Sequence, residues 1–163
     1  MSNTTGEHIR YFSSRELVHI IPTIYLTASE NSTIYVVSPW VNLDLELILP
    51  RGLDKLDITL NVRTITFLEF IKKMRELRGV KTVFLMKKDK NNEKTIEVLR
   101  KENFEVHFYD NIHVKAVISD KLIYTGSANL TKSGILSNIE NCELRYASKR
   151  PEEFLREIVF KDL

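Results

Sequence analysis

Apolar and polar positions along this chain switch repeatedly between a helical period and a strand period, and the switches mark out its elements. Ser13-x-x-Glu16 has the form of a capping box, and Leu17, Ile20, Ile21, Ile24 and Ala28 follow at helical spacing. The pattern predicts a first helix from Ser13, with Pro22 as its kink. Thr33 to Val37, TIYVV, is a short β-branched run of the buried-strand type that ends at Ser38-Pro39-Trp40. Asn42 is expected to cap a short helix over Leu43 to Leu49, broken by Pro50-Arg51-Gly52, and Asp57 to Val62 alternates like a strand. Thr66-x-x-Glu69 is a second capping box, with Phe67, Phe70, Ile71, Met74 and Leu77 on one apolar stripe.

Gly79 is the natural stop for that helix, and Val80 to Met86 reads as another buried strand. A polar loop around Lys88 to Asn92 then leads to a helix ending near Asn103. Phe104 to Tyr109, His113 to Ser119 and Leu122 to Tyr124 are expected strands. A helix is expected after Asn129, a strand near Cys142 to Tyr146, and a closing helix with Pro151 in its first turn. Strands alternating with helices indicate an α/β layered domain, and the close succession of the later strands makes the sheet mixed. No repeat or long linker divides the 163 residues, so a single domain over residues 1–163 is expected.

Composition changes this picture little. The chain has 43% hydrophobic and 28% charged residues and a net charge of only +2, which neither demands nor excludes nucleic acid. The single cysteine, Cys142, rules out an intrachain disulfide and a Cys-based zinc site. His8, His19, His107 and His113 are scattered without the spacing of a metal site, so no metal and no cofactor are expected. The polar start, MSNTTGEHIR, lacks the apolar stretch of a signal peptide, and the run Leu17 to Leu26 is too short to span a bilayer. A cytoplasmic protein without a membrane anchor is the expectation.

The chemistry is concentrated between Asn111 and Leu144. On a strand, His113 and Lys115 alternate with Val114 and project from one face, an imidazole nucleophile beside an anion anchor. Asp120 sits in the tight polar connection Ser119-Asp120-Lys121. Gly126-Ser127-Ala128-Asn129 leaves a strand and enters a helix, where small residues and backbone N–H groups admit a phosphate. Taken singly each has an ordinary explanation: a hydrogen-bonded core histidine, a solvated lysine, a turn aspartate, a helix cap.

Together, His113-x-Lys115-x4-Asp120 and Gly126-Ser127-x-Asn129 resemble the HKD motif of the phospholipase D superfamily. Val36-Val37-Ser38-Pro39-Trp40 is similar to the strand and loop that open these domains, and Arg78-Gly79-Val80 to the entry of a later strand, so the similarity covers roughly residues 30 to 147. One departure is visible. Five residues separate Asp120 from Gly126 where the family pattern has six, a shortening that is harmless only if the turn absorbs it.

The resemblance implies a phospholipase-D-like fold, a mixed β-sheet flanked by helices on both faces. It implies His113 as the nucleophile that forms a phosphohistidine, with Lys115 and Asn129 binding the non-bridging phosphate oxygens. Ser127 and Gly126 would support that pocket, and Asp120 would hold the turn rather than touch substrate. Glu140 resembles the acidic residue that, in single-motif nucleases of this family, hydrogen-bonds the nucleophilic histidine. The family's double displacement uses two motifs in one site, and this chain has one His-x-Lys, so a homodimer with a shared active site is implied.

The resulting expectation is a metal-independent endonuclease acting on DNA or RNA. Lys72, Lys73, Arg75 and Arg78, and Lys87, Lys88, Lys90 and Lys94, agree with it as two basic clusters, although Glu76, Asp89 and Glu93 dilute them. A phospholipid hydrolase or phosphatidyl transferase, and a non-catalytic nucleic-acid-binding dimer, are the alternatives.

Overall fold

A computed structural model describes residues 9–51, 63–136 and 141–161. The Ser13 capping box forms, with Glu16 accepting from the Ser13 N–H at 3.2 Å, and it opens a 3₁₀ turn that runs into helix α1, Leu17–Thr27. Strand β2, Thr33–Val37, follows. Helix α2, Phe67–Arg78, starts on the Thr66 hydroxyl and stops at Gly79, whose φ of 65° is the left-handed conformation that glycine adopts without a Cβ penalty. Strand β5, Lys81–Met86, helix α3, Glu93–Lys101, and strands β6, Glu105–Phe108, β7, Lys115–Ile118, β8, Leu122–Gly126, and β9, Cys142–Tyr146, complete the regular core. Helix α4, Lys132–Leu136, lies between β8 and β9, and α5, Pro151–Ile158, closes the chain with Pro151 in its first turn.

The seven-stranded sheet has the order β1-β9-β8-β7-β2-β5-β6, where β1 is the short edge strand Arg10–Phe12. β2, β5 and β6 are parallel, whereas β7, β8, β9 and β1 join antiparallel, so the sheet is mixed. Alternation along each strand sends side chains to two separate cores. Val36, Phe84, Val117 and Tyr124 pack with α1, α2 and α3 on one face. Val37, Val83, Leu85, Ala116, Ile118 and Ile123 pack under Phe154 and Leu155 of α5 on the other. Helices therefore flank both faces.

Burial decides how α2 is held. Phe67, Phe70, Ile71 and Met74 are fully buried, each worth about 1.5–3 kcal/mol on removal from water. The exposed Lys72–Glu69 and Lys73–Glu76 pairs add only about 0.3–0.5 kcal/mol apiece. Leu77, expected on the same stripe, is 49% exposed and contributes little.

Three expectations change. Leu43 to Leu49 is not a helix: Glu46–Ile48 is strand β3, paired antiparallel with β4, Thr64–Thr66. The reason is visible in Leu43, Leu45, Leu47 and Leu49, which are all buried at a spacing of two while Asp44 and Glu46 between them are exposed. Asn42 does cap a helix, but it is α4, whose first N–H, at Lys132, donates to Asn42 Oδ1 at 2.9 Å. His113 lies before β7 rather than in it, because β8 ends at Gly126 and Lys115 is the first residue with a ladder partner. The expected strand Asp57 to Val62 lies outside the described residues.

Candidate active site

The parallel strands β2 and β5 end side by side, and the chemistry-bearing residues collect at that end. Val37 of β2 pairs with Ala116 of β7 in the last pair of that antiparallel ladder, so Ser38, after Val37, and Lys115, before Ala116, stand at the same end. On the other side Lys115 pairs with Gly126. Lys115 and Gly126 thus share a face of the ladder. Lys115 is half-buried, and His113, two residues earlier in the connection from β6, is exposed.

Gly126 has no room for a side chain. A Cβ there would stand 2.7 Å from the Asn141 carbonyl oxygen and 2.9 Å from the Tyr124 hydroxyl, closer than real Cβ contacts allow. The close approach lets Ser127 N–H donate to Asn141 O at 3.2 Å, and Tyr124 OH donates to Ala128 O at 3.0 Å. Burial raises the Tyr124 phenol well above its ordinary range, so it stays a neutral donor under the loop. Beyond the loop, Leu130 bridges to Val41, and Asn42 N–H donates to Leu130 O at 2.9 Å. The backbone on both sides of Asn129 is therefore fixed, and its half-buried side chain stands beside Ser38 Oγ, 3.5 Å from Oδ1.

The loop after β2 has its own anchors. Ser38, fully buried, donates its hydroxyl to Trp40 O at 2.7 Å and accepts from Leu130 N–H at 3.2 Å. Asn92, 1% exposed, donates from Nδ2 to both Pro39 O and Lys87 O at 2.7 Å, which clamps the ends of β2 and β5 together. The Lys87 ammonium lies 5.7 Å from the centroid of the Trp40 ring. Ser38 and Asn92 are the residues that sequence reasoning passed over. Ser38-Pro39-Trp40 reads there as a strand end, and nothing local marks Asn92 as a clamp.

Asp120 stands apart from this group. It follows β7 at the opposite end of the strands, where its carboxylate accepts from Ser29 N–H at 3.0 Å and from the Ser29 hydroxyl. Burial alone would raise its pKa, but the two Ser29 hydrogen bonds and the nearby Lys121 charge outweigh it and hold the carboxyl below the usual carboxylate range. The shortened connection is a tight turn, closed by Ser119 N–H on Leu122 O at 3.0 Å, and β7 and β8 stay in register from Ile118–Ile123 to Lys115–Gly126. Ser127 is exposed at the mouth of the site. Glu140 lies outside the described residues.

The two expected basic clusters separate. Arg78 donates to Tyr25 O at 2.8 Å and Ala28 O at 2.7 Å, Arg75 to Glu102 O at 2.8 Å, and Lys72 and Lys73 pair with glutamates. That cluster ties α2 to its neighbours. Lys88, Lys90 and Lys94 are exposed beyond the end of β5, at the same end of the strands as His113, and none has an ion-pair partner among the described residues. No group of three or more His, Cys, Asp or Glu that could hold a metal occurs among the described residues, and no described helix is long and apolar enough to cross a membrane.

Comparison with known proteins places this arrangement. A family model described as "Cardiolipin synthase, PLD-like domain" matches residues 56–158. No curated protein matches the chain in sequence. Among solved structures the fold is similar to Nuc, a phospholipase D family member from Salmonella typhimurium, with a TM-score of 0.55 at 17% identity over 91% of this chain and 90% of Nuc. NucT from Helicobacter pylori gives a TM-score of 0.58 at 19% identity over 91% and 89% of the two chains. Two longer proteins also share the fold. This chain spans 52% of TrmBL2, an archaeal chromatin protein, at a TM-score of 0.54 and 14% identity with 96% of this chain covered. It spans 37% of the phosphatidylserine synthase of Haemophilus influenzae at a TM-score of 0.59 and 11% identity, with 94% covered. Since the family model reaches over more than half of its length, the chain belongs to the PLD-like domain family of the phospholipase D superfamily.

Proposed function

We propose that this protein is a metal-independent phosphodiesterase, a nuclease that cleaves DNA or RNA through a phosphohistidine at His113. The observation that supports the reading is that Lys115, Asn129 and the segment carrying His113 stand at the same end of β2, β5 and β7. An imidazole nitrogen of His113 forms a bond to phosphorus as the bond to the leaving oxygen breaks. Lys115 and Asn129 hold the non-bridging oxygens, whose charge is greatest in the transition state, and Ser127 and Gly126 shape the same pocket.

The leaving oxygen needs a proton, and a second histidine supplies it. With one HKD motif per chain that group is His113 of the partner subunit, in a homodimer closed by a two-fold axis through the site. The same partner imidazole then takes a proton from water as the water oxygen attacks phosphorus and the P–N bond breaks. The free phosphate monoester leaves and both histidines are restored. Glu140 would hold His113 through this cycle.

Nucleic acid is favoured as substrate by the exposed Lys88, Lys90 and Lys94 at the site's end of the strands. The fold shared with Nuc and NucT, and with a chromatin protein that binds DNA, points the same way. The family's description and the fold shared with a phosphatidylserine synthase favour a second reading, phosphatidyl transfer. A cleavage assay in excess EDTA separates them, with single-stranded DNA, double-stranded DNA, RNA and phospholipid vesicles offered in parallel. Cleavage of a nucleic acid is the expected result. Turnover of lipid alone would establish the second reading, and activity restored only by magnesium or manganese would overturn both.

A further inference from the structure

We propose that Ser38 is a positioning residue for Asn129, turning its carboxamide so that Nδ2 faces the phosphate; this rests on the phosphodiesterase reading above. The non-bridging oxygens of a phosphodiester only accept hydrogen bonds, so only one end of the Asn129 amide is useful to them. With Oδ1 facing the phosphate, two acceptors would meet. The orientation of one torsion therefore decides whether Asn129 stabilises the transition state or opposes it.

Among the described residues, the side chain that hydrogen-bonds the Asn129 carboxamide is Ser38. Tyr124 OH holds the carbonyl of Ala128 at 3.0 Å, and Asn42 N–H holds that of Leu130 at 2.9 Å, so the main chain is fixed on both sides of Asn129. Ser38 Oγ, fully buried, lies 3.5 Å from Asn129 Oδ1. The hydroxyl also accepts from Leu130 N–H at 3.2 Å and donates to Trp40 O at 2.7 Å, so its position is set by two backbone groups rather than by Asn129. Its single proton lies between Trp40 O and Asn129 Oδ1, and the second contact is the longer one in the free protein. When a phosphate oxygen accepts from Nδ2, the amide polarises and Oδ1 becomes the better acceptor, which strengthens the Ser38 contact as charge develops.

Losing one positioned donor costs about a hundredfold to a thousandfold in turnover. Removing only the group that orients it leaves both amide orientations accessible, and the loss is smaller, about threefold to thirtyfold. The test is a double-mutant cycle in the full chain, with Ser38→Ala, Asn129→Ala and the double variant assayed beside the wild type. Ser38→Ala should lower kcat by that factor alone and by less than about twofold in the Asn129→Ala background, because it acts through Asn129. Ser38→Cys, which keeps a weak donor, should recover part of the loss. An equal drop in both backgrounds overturns the assignment.

If the wild type cleaves no phosphodiester, the functional reading falls while this inference is still read by NMR. Inorganic phosphate is titrated into isotope-labelled wild type and Ser38→Ala. The Asn129 carboxamide signals are identified by their absence from Asn129→Ala, and melting curves show that each protein is folded. Those signals should move with phosphate in the wild type and stay in place in Ser38→Ala. Equal movement in both, or none in the wild type, overturns it.

Discussion

Asp120→Ala should cost stability and leave the chemistry alone. Asp120 carries the last letter of the HKD signature, yet its carboxylate serves Ser29 N–H at 3.0 Å and the Ser29 hydroxyl, tying the β7–β8 turn to the segment after α1. Lys115 and Asp120 are separated by at least the length of β7, about 10 Å at roughly 3.3 Å per residue. A hydrogen bond to a charged group is worth about 1.5–3 kcal/mol. Both partners belong to the half-buried Ser29, where water replaces part of what is lost, so the expected total is about 1.5–3 kcal/mol rather than twice that. For a chain of this size that lowers Tm by about 3–12 °C.

The sign with pH follows from the direction of the shift. The folded-state pKa of Asp120 is depressed, so its contribution is complete above the unfolded carboxyl value of about 3.9 and is lost as pH falls through the folded value. The stability gap between wild type and Asp120→Asn should therefore be full at neutral pH and close as the solution is acidified below about pH 4. Urea titrations followed by circular dichroism measure the gap, with an unchanged m-value showing that the unfolded state is not altered. Turnover below the melting transition should stay within about twofold of wild type. An Asp120→Ala protein as stable as the wild type, or one that is folded but a hundredfold slower, would refute the reasoning.

Three further outcomes are expected. Gly126→Ala forces a Cβ against Asn141 O and Tyr124 OH, so it should destabilise by about 1–3 kcal/mol in a denaturant titration, as overpacking does elsewhere. Sedimentation at micromolar concentration should give about twice the chain mass, and a fully active monomer would contradict the shared site. Glu140→Gln should slow turnover about tenfold to a thousandfold with little change in Tm, and an unchanged rate would leave His113 with a different orienter.

The amphipathic elements were legible in the sequence because their signals are local. Thr33–Val37 and Cys142–Tyr146 fall where the apolar runs put them, the Ser13 capping box opens the turn into α1, and the Thr66 hydroxyl and Gly79 bound α2. Leu43 to Leu49 was misread because a plausible cap at Asn42 outweighed a clear spacing of two, and the helix that Asn42 caps lies 90 residues away. β1 was invisible, since three residues carry no period and its pairing with β9 is non-local. At the candidate site, the motif points to His113, Lys115 and Asn129 by local spacing, but Ser38 and Asn92 act through contacts more than 50 residues distant along the chain. Such contacts leave no trace in local spacing.

A covalent trap reads out the phosphohistidine at His113 itself. The protein is mixed with substrate radiolabelled at the scissile phosphate, in excess chelator, and quenched in alkali, where a phosphorus–nitrogen bond survives. Label is expected on the peptide that contains His113, lost on acid treatment and absent from His113→Ala. Label that persists in His113→Ala, or cleavage that proceeds with no labelled protein and only when a divalent cation is added, would contradict that intermediate.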